Sequence, residues 1–177
     1  NEYALSSVKG SGIKHAVLAF SMVPWIDRLA TPQDAENGSK IITKHLIQTI
    51  AQLQESGVTV WLVRPVPVFP FEPPKQLLKA AKRDIPASEV YLPAADYRKL
   101  DEIYAAAEKH GARILPITPD VCGRDVCPSG DAGGIYYRDS NHLSVYGALH
   151  FRGTLKPLME AIIEERTAES QAAPSGF

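Results

Sequence analysis

No apolar run in this sequence approaches the ~20 residues needed to span a bilayer, so no membrane-crossing helix is expected within it. Charge of one sign is also lacking: 19 basic and 20 acidic residues are mixed along the chain, for a formal net charge of −1. That balance removes the electrostatic case for a nucleic acid or an anionic membrane as partner, and no nucleic-acid-binding motif is present. Cysteine is scarce. The two that occur, with no histidine cluster beside them, fall short of the four ligands a structural zinc site wants. Internal repeats are absent. An initiating Met is absent too, and the first residues lack the charged and apolar regions of a secretion signal. We expect a mature product or a piece of something longer, with any targeting segment upstream of Asn1.

What is present is enough for one core. The chain has 177 residues, 45% of them hydrophobic, and reads as one α/β domain over residues 1–168 with a disordered tail at 169–177. Residues 15–22 (His-Ala-Val-Leu-Ala-Phe-Ser-Met) are almost continuously apolar and of strand length, as in a parallel sheet covered on both faces. A loop through Pro24 and Pro32 is expected next. Apolar residues then recur every three or four positions from 39 to 55, which predicts a helix capped by Ser39 and ended by Gly57. Residues 58–63 (Val-Thr-Val-Trp-Leu-Val) form the strongest strand, and Pro65 and Pro67 stop it. A stiff loop with Pro70, Pro73 and Pro74 leads to helices over 75–82 and 95–110, then a third strand over 112–117. The last helix starts near Ser144, with a kink or restart at Pro157. Strands alternating with helices predict right-handed crossovers in a parallel sheet, one that looks incomplete on its N-terminal side.

Cys122 and Cys127 enclose four residues. A local disulfide is the favoured reading, two free thiols the other; a disulfide implies an oxidising compartment. Of five histidines, four have structural explanations: His15 begins a strand, His45 and His150 lie in helices, and His110 sits at a helix C-terminus, where a cation is favoured. His142 differs. It lies three residues after Asp139 in a loop following a parallel-sheet pattern, where such sheets place their ligand sites. A carboxylate bonded to one imidazole nitrogen fixes the tautomer and frees the other nitrogen to take a proton. An Asx turn and helix cap, with Asp139 or Ser140 bonding backbone N–H groups, would use the same residues structurally. Tyr136, Tyr137 and Trp25, as isolated aromatics, suit either the core or an exposed stacking platform.

The block Tyr137-Arg138-Asp139-Ser140-Asn141-His142-Leu143-Ser144, followed by Gly147-Ala148, resembles the last conserved block of SGNH hydrolases. Within them it most resembles the extracytoplasmic domain fused to acyltransferase family 3 membrane proteins. The strand at 15–20, the strand ending in Arg64-Pro65-Val66-Pro67 and the cysteine pair ahead of Tyr136 agree in order, so the resemblance spans residues 13–159.

The resemblance implies a flavodoxin-like α/β/α sandwich in which Asp139 and His142 complete a triad with a serine in a Gly-Asp-Ser block. That block is not in the sequence: Gly130-Asp131 is followed by Ala132, and Ser6, Ser7 and Ser11 occupy no strand-to-helix turn. The oxyanion Asn expected after strand 15–20 is missing as well, the chain reading Phe20-Ser21-Met22-Val23-Pro24-Trp25. We therefore expect the nucleophile on a preceding segment; conversion to a binding module is the alternative. The implied activity is O-acyl transfer, with acetyl as the group, to sugar hydroxyls of an envelope glycan such as lipopolysaccharide O-antigen. It needs no metal or cofactor, takes its acyl group from a fused or associated transmembrane acyltransferase domain, and works on the periplasmic side. A secreted esterase or a noncatalytic glycan-binding domain are the other readings. The prolines at 65–74 and the cysteine loop are placed to shape an acceptor cleft or to act as a stiff connector.

Overall fold

The computed structural model describes residues 2–8, 11–29, 37–86, 89–98, 100–115 and 122–172. Helix α1 (Glu2–Val8) precedes strand β1 (His15–Ala19), helices α2 (Val23–Leu29) and α3 (Asn37–Glu55), and strand β2 (Thr59–Val63). Helix α4 (Pro73–Ala81), strand β3 (Tyr91–Pro93), helices α5 (Ala94–Arg98) and α6 (Asp101–Lys109) and strand β4 (Arg113–Leu115) follow. Strands β5 (Val126–Pro128), β6 (Gly130–Asp131) and β7 (Gly134–Ile135) then lead to helix α7 (Val145–His150), a 3₁₀ turn (Phe151–Leu155) and helix α8 (Lys156–Ala172).

The sheet is parallel, in the order β1-β2-β4. Alternation along β2 explains its layers. Val60 and Leu62, both fully buried, pack with Leu46, Ile50 and Ile103 of α3 and α6 on one face, while Trp61 packs with Leu115 and Leu158 of α8 on the other. Helices on both faces of a parallel sheet make the expected α/β/α sandwich. The chain passes from α3 into β2 and from α6 into β4 by the same turn. Gly57 and Gly111 adopt φ of +75° and +87°, which glycine takes without a Cβ penalty, and Val58 and Ala112 N–H reach back to Leu53 and Ala107 carbonyls.

Local differences from the sequence reading have physical causes. The first strand stops at Ala19, and Val23 opens α2 where a loop was expected; Pro24 is its second residue, a position where the missing N–H costs nothing. Pro73 and Pro74 likewise begin α4 instead of continuing a loop. Ser39 lies inside α3, so it is not the cap. The helix expected over 95–110 is broken into α5 and α6 beside Arg64, whose guanidinium sits 4.4 Å from the Tyr97 ring centroid and bonds the Tyr97 carbonyl and the Asp101 side chain. The last helix restarts through the 3₁₀ turn, and Pro157 is the second residue of α8. That helix continues to Ala172, past the expected boundary at 168, and residues 173–177 lie outside the described ones. Part of the third strand, residues 116–117, and Pro32 in the expected loop also lie outside them. Two small antiparallel pairs, β3 with β5 and β6 with β7, were not anticipated. Their strands are two or three residues long, too short for periodicity to mark.

Candidate active site

The Asp139 and His142 loop is the tip of a short hairpin. Tyr137 and Leu143 form an antiparallel bridge, Arg138 N–H donates to the His142 carbonyl at 3.0 Å, and Ser144 N–H donates to the Tyr136 carbonyl at 2.8 Å. Ser144 then starts α7: its hydroxyl accepts from Gly147 N–H at 3.0 Å and donates to the Ile135 carbonyl at 2.5 Å. Phe69 N–H, on the segment leaving the C-terminal end of β2, donates to the Ser140 carbonyl at 2.8 Å. The loop therefore lies at the carboxyl end of the parallel sheet, where open α/β sheets bind ligands.

Within the tip, Asp139 Oδ1 accepts from Asn141 N–H at 3.0 Å and His142 N–H at 2.8 Å, and Oδ2 accepts from His142 Nδ1 at 2.9 Å. The carboxylate thus makes the Asx turn and orients the imidazole at once; the two uses weighed from the sequence coexist. The Asn141 N–H bond, with the two from His142, lowers the Asp139 pKa to about 2. It stays ionised at neutral pH. Because Nδ1–H donates to the carboxylate, Nε2 is the acceptor nitrogen, on a side chain that is 58% exposed. No hydroxyl among the described residues is hydrogen-bonded to it.

The floor beneath the loop is apolar. Tyr136 and Tyr137 are 5% and 1% exposed, so they are core residues and not sugar platforms. Tyr137 packs edge-on against Phe69, which comes from the proline segment, at 4.8 Å between centroids. Pro67 is fully buried there and Tyr97 O–H donates to the Pro65 carbonyl, which makes that segment a support for the loop. Trp25 is exposed and lies under Arg28. Cys122 and Cys127 are joined in a disulfide beside this floor.

Two groups escaped the sequence reading. Asp131, weighed there only in the Gly130-Asp131 pair that Ala132 follows, accepts from Gly133 and Gly134 N–H and from the Tyr146 and Tyr136 hydroxyls, which fastens the β6–β7 turn to α7. The Tyr146 bond in particular lowers its pKa, and burial followed by the Asp131 bond pushes Tyr136 up to about 12. An acidic residue two positions before Gly133-Gly134 is the recognisable Asx-turn signal. His15 was set aside as a strand start, yet its Nδ1 accepts from Trp61 Nε1–H at 3.1 Å and its Nε2 meets Glu165 at 2.7 Å. Nothing local in sequence marks that long-range contact. At the expected oxyanion position, Ser21 presents a buried hydroxyl without a hydrogen-bond partner. Ser11 is engaged in a turn with the Val8 carbonyl and Ile13 N–H. His45 is exposed on α3, His110 bonds the Ala106 carbonyl at the end of α6, and the His150 ring lies tilted against Tyr136.

A three-layer α/β sheet with a carboxylate and imidazole pair at its carboxyl end defines the class, the SGNH-type domains. More narrowly, a family model described as the SGNH domain fused to AT3 domains matches residues 7–157, and the chain belongs to that family. No curated protein matches it. Among solved structures it is similar to the periplasmic domain of a lipopolysaccharide acetyltransferase from Salmonella ser. Paratyphi A, with a TM-score of 0.67 at 15% identity. That likeness shows the fold; it covers 90% of this chain and 61% of the Salmonella domain.

Proposed function

We propose that this chain forms part of an O-acyltransferase domain whose acceptor is a sugar hydroxyl of an envelope glycan, such as lipopolysaccharide O-antigen, and in which Asp139 and His142 are two members of a serine triad. The observation that carries this is the pair itself: a carboxylate held ionised by backbone N–H groups, bonded to Nδ1 of an exposed imidazole. The serine is expected on a segment that precedes Asn1. In the first half-reaction Nε2 of His142 takes the serine proton as the serine oxygen bonds to the acyl carbon, and the leaving group departs with that proton. In the second, Nε2 takes the proton of a sugar hydroxyl, whose oxygen bonds to the acyl carbon, and the proton returns to the serine as its ester bond breaks. Asp139 holds the tautomer and stabilises the imidazolium throughout. Acetyl as the acyl group, its delivery from a membrane acyltransferase domain and a periplasmic location are supported by the family's fusion to AT3 domains, by the Salmonella likeness and by the disulfide.

The test uses the polypeptide encoded by the intact gene, incubated with an activated acetyl ester and then with the glycan. An acetylated serine that disappears in His142→Ala supports the triad. Turnover unchanged in both Asp139→Asn and His142→Ala shows the assignment to be wrong. Release of acetate without transfer to the glycan makes the domain an esterase.

A further inference from the structure

The hairpin that presents Asp139 and His142 also fixes a cation beside them. Tyr137 and Leu143 are bridge partners and Arg138 N–H donates to the His142 carbonyl, so Arg138 and His142 stand opposite each other on the next rung, on the face away from Tyr137. Tyr137 is buried there, whereas the Arg138 and His142 side chains are 67% and 58% exposed. Both reach one oxygen: Asp139 Oδ2 lies 2.9 Å from His142 Nδ1 and 3.6 Å from Arg138 Nε. The first is a hydrogen bond, and the second is too long to be one. Asp139 is already committed, through Oδ1 to the Asn141 and His142 N–H groups and through Oδ2 to the imidazole. Among the described residues nothing accepts a hydrogen bond from the Arg138 guanidinium, which leaves its N–H fork open beside the imidazole.

A planar fork of donors matches a carboxylate or a phosphate, and a neutral sugar has no use for its charge. We infer that Arg138 is a specificity-determining residue for the acceptor: it holds an anionic substituent, carboxylate or phosphate, of the sugar whose hydroxyl gives its proton to His142. The inference rests on the function proposed above for the role of His142, and it narrows the acceptor to acidic sugars. Because the two side chains meet at one carboxylate oxygen, a single sugar unit can reach both. An exposed contact as long as that between Arg138 and Asp139 is weak, so the guanidinium turns to a bidentate partner at little cost.

Glucose, glucuronate and glucose-6-phosphate share one ring and differ in the charge they carry, so they serve as probes. In the 177-residue chain, an anionic sugar titrated to millimolar concentration should move the Arg138 Nε–H and His142 ring resonances by NMR, and glucose should not. Which of the two anionic sugars acts tells carboxylate from phosphate. Arg138→Gln keeps the backbone N–H that closes the hairpin and should abolish the response; Arg138→Lys, which keeps the charge without the fork, should weaken it. In the intact gene product acetylated by the activated ester, the same anionic sugar should draw at least about tenfold more acetyl than glucose, and Arg138→Gln should cancel that preference. Identical shifts from all three sugars, no shift from any, or a response that survives Arg138→Gln overturns the inference. Arg138-dependent shifts with turnover indifferent to His142→Ala would sink the triad and leave the anion site; His142-dependent turnover with no preference for the charged sugar would do the reverse.

Discussion

Replacing Asp139 by Asn isolates the tautomer argument. The amide is nearly isosteric, so its oxygen keeps the Asn141 and His142 N–H bonds, and its NH₂ group is left facing His142 Nδ1, where Oδ2 now accepts at 2.9 Å. Two donors cannot share that contact. The imidazole proton moves to Nε2, Nδ1 becomes the acceptor, and the nitrogen meant to take a proton already holds one. The loop keeps its shape while turnover of the intact gene product falls by about 10⁴, the loss known for a triad carboxylate amidated in place. The first assay needs no substrate: the ¹⁵N shifts of His142 in the 177-residue chain should exchange their protonated and unprotonated positions. The second is kcat with the activated acetyl ester. An unchanged tautomer, or a loss below about tenfold, refutes the reasoning. The pH dependence has a definite sign. Asp139 is depressed from 3.8 to about 2 on folding, first by the Asn141 N–H, so its contribution is complete above about pH 4 and is lost as pH falls toward 2. The His142 loop should open over that window, monitored by its amide resonances, and the Asn variant should lack the transition.

Gly147→Ala would place a Cβ 2.1 Å from the Tyr136 carbonyl oxygen, so α7 must move off the hairpin; a loss of about 3 kcal/mol in urea unfolding is expected, and an unshifted midpoint would contradict the close approach. Tyr137→Phe removes a buried hydroxyl that has no hydrogen-bond partner and should be neutral or stabilise by up to about 1 kcal/mol, checked by thermal melting. Replacing Cys122 and Cys127 together by Ser opens a loop with a sequence separation of 5 and should cost about 2 kcal/mol, with the change in exchange confined to β5 and its neighbours.

What the sequence made legible is what repeats or what is local. The apolar runs of β1 and β2, the period of α3 and the glycines that end α3 and α6 each carry their signal within a few residues, and the Asp139 to His142 spacing is itself a turn. Helix starts were harder. Pro24 and Pro73 read as loop residues, whereas each sits in a first turn that has no N–H bond to lose; Pro157, read as a kink or restart, does mark where the last helix restarts. The split between α5 and α6 depends on Arg64, some thirty residues away, and the β3–β5 pair joins segments equally remote. Tyr136 and Tyr137 became floor and not platform for the same reason: Phe69, which covers Tyr137, arrives from another part of the chain.

The His15 imidazole also acts as an index pin. It receives the Trp61 N–H from β2 and meets Glu165 on α8, so one ring reads the position of three elements together. A slip of β1 by one residue would carry every side chain to the opposite face and take this ring away from both partners. A strand only five residues long is therefore kept in step by a contact outside its own ladder.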